Sequence, residues 1–117
     1  MVPPEVGVEE HLPCLPQHAN SHHFIVRCGG YSMFPKIEPG DYLVLRRTTR
    51  ARRGEIVMAT HGDTTVVRYF LGRSKRGSLL VSENPEYPSI EDVAIKIQGI
   101  AVWQCRHGQA LTRTSRP

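Results

Sequence analysis

Residues 30–45 read Gly30-Tyr31-Ser32-Met33-Phe34-Pro35-Lys36-Ile37-Glu38-Pro39-Gly40-Asp41-Tyr42-Leu43-Val44-Leu45. The Gly29-Gly30 pair relaxes the backbone just before Ser32. That would expose the hydroxyl and let nearby N–H groups converge on one point, as in an oxyanion hole. A serine is a weak nucleophile until a base takes its proton. A lysine serves as that base when burial keeps it neutral. The same serine also suits the cap of a single helical turn over 32–37. Pro39-Gly40-Asp41 is a strong turn, and the apolar run Tyr42–Leu45 leaves it as a strand.

Outward from this stretch, short apolar runs alternate with turn signals, which is a β pattern. Phe24-Ile25-Val26 reads as a strand stopped by Gly29-Gly30. Glu55–Ala59 and Thr64–Phe70 flank the tight reversal His61-Gly62-Asp63, and β-branched and aromatic residues fill the second run. Ser78–Ser82 and Val93–Gln104 supply two more strands, separated by the loop Asn84-Pro85-Glu86-Tyr87-Pro88. Lys96 and Gln98 alternate with Ile95 and Ile97, as in a half-buried strand. Met33, Ile37, Leu43, Val57 and Trp103 are expected in the core. The expectation is a mostly-β domain over 23–117, preceded by an extended arm over 1–22 that carries Pro3, Pro4, Pro13 and Pro16.

The chain of 117 residues is 39% hydrophobic and 22% charged, an ordinary globular balance. No apolar run approaches the roughly 20 residues of a membrane-spanning helix, and no secretory signal is visible. The expectation is a cytoplasmic protein without a membrane partner. Cys14, Cys28 and Cys105 give an odd count without close pairing, which argues against a disulfide framework and against a zinc site. His22 and His23, as strand neighbours, point to opposite faces. No cofactor and no metal are expected.

Charge is unevenly placed. Residues 1–24 hold Glu5, Glu9 and Glu10, whereas all 15 Lys and Arg come later. Arg46, Arg47, Arg50, Arg52 and Arg53 crowd one short stretch. That is either a solvated loop or a surface for an anionic partner such as nucleic acid. Aromatic residues do not interleave with these arginines as a stacking platform requires.

The pattern Gly30-Tyr-Ser32-Met33-x-Pro35-x-Ile37-x-x-Gly40-Asp41-x-Leu43-Val44 resembles the nucleophile segment of the LexA/UmuD/phage-repressor family of self-cleaving serine peptidases. The likeness continues through Gly54-Glu55-Ile56-Val57, Gly62-Asp63-Thr-Thr-Val66-x-Arg68 and Asn84-Pro85-x-Tyr87-Pro88-x-Ile90. It ends at Ile97-x-Gly99-Ile100-Ala101-Val102-Trp103, so that it spans about residues 24–106. The resemblance implies a β-clip fold of twisted, mainly antiparallel sheets and a Ser–Lys dyad. Homodimers through the C-terminal strands are also implied, with a role in an SOS or prophage-type response and a RecA filament or an error-prone polymerase as partner. Ser32 matches the nucleophile, and Gly30, Tyr31 and Met33 match the residues that shape the oxyanion loop.

The sequence departs from the family at the general base. The family's Thr-Val-Lys-Arg segment corresponds to Thr65-Val66-Val67-Arg68, so Val67 stands at the lysine position. Arg68, as a strand neighbour, is expected to face the other way, and a guanidinium does not deprotonate near neutral pH. Lys36, Lys75 and Lys96 lie outside the motif. The arm contains no Ala-Gly or Cys-Gly bond of the kind these proteins cut, and no DNA-reading module is recognisable in the chain. The expectation is a dimerising module impaired in self-cleavage. The alternatives are an active self-cleaving peptidase with an unorthodox base (His61, His107 or a water) and a soluble relative of type I signal peptidases, which share the Ser-Met-x-Pro segment.

Overall fold

The structure, a computed structural model, describes residues 6–9, 20–106 and 109–114. The strands among them are β1 (Val6–Glu9), β2 (His23–Cys28), β3 (Tyr42–Arg47), β4 (Ile56–His61), β5 (Thr64–Ser74), β6 (Gly77–Val81), β7 (Ile90–Asp92), β8 (Lys96–Cys105) and β9 (Thr112–Arg113). They hydrogen-bond in the order β1-β2-β3-β8-β4-β5-β6-β7, with β9 on β8. Every pairing is antiparallel. This is the mostly-β fold that the alternating pattern predicts, and no helix of the described residues could cross a membrane.

Side chains of successive strand residues leave on opposite faces, and β4 shows the consequence. Ile56 and Met58 join one apolar cluster with Val26, Cys28, Met33, Ile37, Leu43, Leu45 and Val67. Val57 and Ala59 join the other, with Val66, Phe70, Leu80, Ile95, Ile97 and Ile100. Both faces of the central strands are therefore covered, which explains why their sequence reads as continuous apolar runs. Bulges bend the sheet where β8 meets β3 at Val44/Leu45 and where it meets β4 at Met58/Ala59.

The single helical turn expected over 32–37 is present, and two departures from the sequence reading have local causes. The 32–37 segment makes one α-type turn, with the Ile37 N–H donating to the Met33 carbonyl at 2.8 Å, and then gives way to the Pro39-Gly40 turn. The last long strand starts at Lys96 rather than Val93, because the Asp92 carboxylate accepts the Ala94 N–H at 3.0 Å and folds 93–94 into a turn. That leaves Val93 74% exposed. Trp103 is half-buried rather than in the core, packed beside the Ile25 and Val44 pair.

Part of the expected arm is a strand. Val6 to Glu9 pair with β2 in the register Val6↔Cys28 to Glu9↔Ile25, and Val6 packs against the first cluster. The prolines of the arm, Glu5, Glu10, Cys14 and His107 lie outside the described residues.

Two polar contacts outside the sheet ladder make stability depend on pH. The His61 Nε2 and Asp92 Oδ2 atoms lie 2.9 Å apart and tie the β4–β5 hairpin to β7. The Ala94 N–H and then His61 hold the Asp92 carboxyl below its ordinary 3.8. A depressed carboxyl contributes stability above its unfolded pKa and loses it as pH falls through the folded value. At the other limb, burial and then the bond to Glu83 push the Tyr69 hydroxyl up from 10.0 to about 12. A raised pKa contributes stability below the unfolded value, and that contribution fades as pH climbs from 10 towards 12. Urea titrations across pH should therefore show an acid limb that Asp92→Asn flattens and an alkaline limb that Tyr69→Phe flattens.

Candidate functional site

Ser32 sits at the start of the α-type turn that β2 feeds, and it is 3% exposed. Neither Gly29 nor Gly30 takes a positive φ, so the pair does not supply a left-handed backbone before Ser32. The turn is clamped from the β6–β7 side. The Asn84 N–H donates to the Ser32 carbonyl at 2.9 Å, and Asn84 Nδ2 donates to the Tyr31 carbonyl at 3.1 Å. Below the turn, the Asp41 carboxylate accepts the Glu38 N–H at 2.9 Å and faces Arg106 Nε at 3.3 Å. The buried carboxylate thus holds the Pro39-Gly40 turn closed.

Gly30, Ser32, Met33 and Val67 line one small cavity of about 10 Å³, together with Cys28 and Ile37. That volume is at the lower limit for a single water. Register explains the meeting: Val67 pairs with Met58 on β4, and both side chains enter the first cluster. The Tyr31 side chain turns outward instead, 57% exposed and tilted against Phe34 with 6.2 Å between ring centroids.

Arg68 is where sequence reasoning missed the geometry. Its Nη1 donates to Ser32 Oγ at 2.6 Å and to the Val67 carbonyl at 2.8 Å, and the residue is 4% exposed. The guanidinium carbon stands 5.9 Å from the centre of the Tyr87 ring, within cation–π range. Strand alternation sends the Arg68 Cβ away from Val67, yet a long side chain can turn back over an unpaired edge. Among the described residues such an edge is present, because β6 joins β5 only from Tyr69 onward. The signal available in sequence was the family-like Asn84-Pro85-x-Tyr87 segment, whose loop carries Tyr87 to the guanidinium and Asn84 to the serine turn.

Chemically, Ser32 Oγ accepts a hydrogen bond from a cation that has no lone pair to offer in return. The guanidinium donates to Oγ from 2.6 Å. Lys75 lies in the β5–β6 turn, and Lys96 opens β8 opposite Thr60. His61 is held by Asp92 at the far end of β4.

Comparisons with known proteins agree with this architecture. The Peptidase S24-like family model matches residues 4–102. The chain is 36% identical over 92 residues to the LexA repressor of Delftia acidovorans, an overlap that covers 75% of this chain and 41% of that protein. It is 32% identical over 108 residues to the LexA repressor of Burkholderia mallei, covering 87% of this chain and 50% of the relative. The LexA repressor of Burkholderia ambifaria is 31% identical over the same length. The chain thus spans half or less of the length of these relatives. A match along most of its residues, on a β fold that buries the serine turn, makes this chain a member of the Peptidase S24-like family.

Proposed function

We propose that this chain is a LexA-like peptidase-fold module impaired in self-cleavage, acting through binding rather than through chemistry at Ser32. The observation that carries this reading is the 2.6 Å hydrogen bond from Arg68 Nη1 to Ser32 Oγ beside the Val67 side chain. A guanidinium beside Oγ would favour an alkoxide electrostatically, but it takes no proton from the hydroxyl near neutral pH. Val67 takes none either. A positioned general base is worth about 10²–10⁴-fold in rate, and neither Arg68 nor Val67 can supply it. By family, the module would dimerise through its C-terminal strands and act in an SOS or prophage-type regulatory circuit with a RecA filament or an error-prone polymerase. The LexA repressors among its relatives support that reading.

The test is to incubate the purified chain, and any longer precursor, at mildly alkaline pH and to follow its intact mass. No defined cut is expected. A cut that disappears in Ser32→Ala would overturn the reading.

A further inference from the structure

The five clustered arginines do not act as one patch. The Arg47 guanidinium stacks over Phe24 at 4.4 Å, and Arg53 Nη1 donates to the Leu71 carbonyl at 3.0 Å. Arg46, Arg50 and Arg52 instead line a cleft of about 700 Å³, and Arg113 on β9 joins them across it. Pairing along β8 leaves room for this cleft. The β4 ladder ends at the pair Val57↔Ile100, and β9 begins at Trp103↔Arg113. Between those points Ala101 contributes to the lining without a β4 or β9 register partner, and the Val102 carbonyl accepts the Thr114 N–H at 2.9 Å.

All four arginines are exposed, and none forms an ion pair with a carboxylate among the described residues. The single acid in the lining, Glu55, is occupied locally, its Oε1 accepting the Arg52 N–H at 2.6 Å. With four exposed arginines against one lining carboxylate, the described residues give the cleft a net positive charge. Trp103 lies outside the lining but next to it: the Arg113 guanidinium is 5.8 Å from the centre of its half-buried indole, which also stands 5.5 Å from the His23 ring. Trp103 is the neighbour of Arg113 on β9, outside the 46–53 run that the sequence reading concerned.

We infer that this cleft binds the phosphate backbone of single-stranded nucleic acid, a function separate from anything at Ser32. Guanidinium forks match phosphate oxygens bidentately. Arginines with an adjacent indole make the combination that holds an unpaired strand, with charge following the backbone and a ring for a base. An acidic peptide would satisfy the charge but would have no use for the indole.

The experiment is a titration of the full chain with a fluorescein-labelled oligothymidylate of about twelve nucleotides, read by anisotropy and by the fluorescence of the single tryptophan. Saturable binding with quenching of Trp103 is expected. The logarithm of the affinity should fall with log salt at a slope of roughly −3 for four phosphate contacts. The variant Arg50→Ala/Arg52→Ala should weaken binding at least tenfold at low salt and flatten the slope by about 1.4. The control Lys75→Ala/Arg76→Ala removes equal charge from the exposed β5–β6 turn and should stay within twofold of the parent chain. Circular dichroism melts verify that both variants fold. No saturable binding at low salt, an equal loss in the control, or equal affinity for a polyglutamate of matched charge would each overturn the inference.

Discussion

Val67→Lys is expected to raise the rate at which a fluorophosphonate labels this chain by about 10²–10⁴-fold, the worth of a positioned general base. The gain should vanish when Ser32→Ala is added. Val67 is 3% exposed and lines the cavity that holds Ser32, so a lysine there would extend its amine along a wall already facing the hydroxyl. Two effects favour the neutral amine that the chemistry needs. Burial disfavours the ammonium, and the Arg68 guanidinium on Ser32 Oγ adds a like charge close by. The labelling rate should therefore rise with pH through a midpoint below the ordinary lysine value of about 10.4. The substitution should also cost about 2 kcal/mol or more of stability, because an amine replaces a packed isopropyl group in the core. Labelling no faster than in the parent chain, from a variant whose circular dichroism is unchanged, would mean that position 67 does not serve Ser32.

The largest stability effect is expected from Gly77→Ala, a change invisible to any reading of the surface. Gly77 opens β6 at φ +103, and a Cβ there would lie 2.1 Å from the carbonyl carbon and oxygen of Asp92 and 2.2 Å from Val93 N. Those are backbone atoms of the neighbouring β7 region, which cannot swing aside as a side chain can. The ladder that pairs Ser78 with Asp92 would have to open. Steric conflict and backbone strain together should cost roughly 3 kcal/mol or more. Gly62→Ala separates the two contributions. Gly62 sits at φ +63 in the β4–β5 turn with nothing within 4 Å of a built Cβ, so only the left-handed strain of about 1–2 kcal/mol applies. Urea midpoints should rank the parent above Gly62→Ala, and Gly62→Ala well above Gly77→Ala. Equal midpoints for the two variants would mean that the β6–β7 contact is not as tight as described.

Most of the fold is legible in the chain because its central strands carry strong local signals. The runs around Ile25, Leu43, Val57, Val66 and Ile97 are apolar, β-branched and closed by Gly or Pro turns, and each is a strand. The strands β1, β7 and β9 escape such a reading. They have four, three and two residues, too few for any periodicity, and exist because a neighbouring edge offers hydrogen bonds. The start of β8 differs from the sequence reading for a related reason. Val93 continues the apolar pattern, but the Asp92 carboxylate caps a turn there instead.

The candidate site divides along the same line. That a serine follows a glycine pair, and that valine stands where a family resemblance implies lysine, are properties of residue order alone. No contact is needed to establish that Val67 lacks a proton acceptor. What occupies the serine instead is a tertiary matter. Arg68 reaches Ser32 where, among the described residues, β6 leaves the β5 edge open before Tyr69, and Tyr87 arrives from a distant loop. The arginine cleft was likewise decided in space. Residues 46–53 supplied the charge, but folding turned Arg47 and Arg53 elsewhere and brought in Arg113 with Trp103. Local order determines backbone preference and the face each strand residue takes, whereas the reach of a long cationic side chain depends on which neighbouring edge is left uncovered.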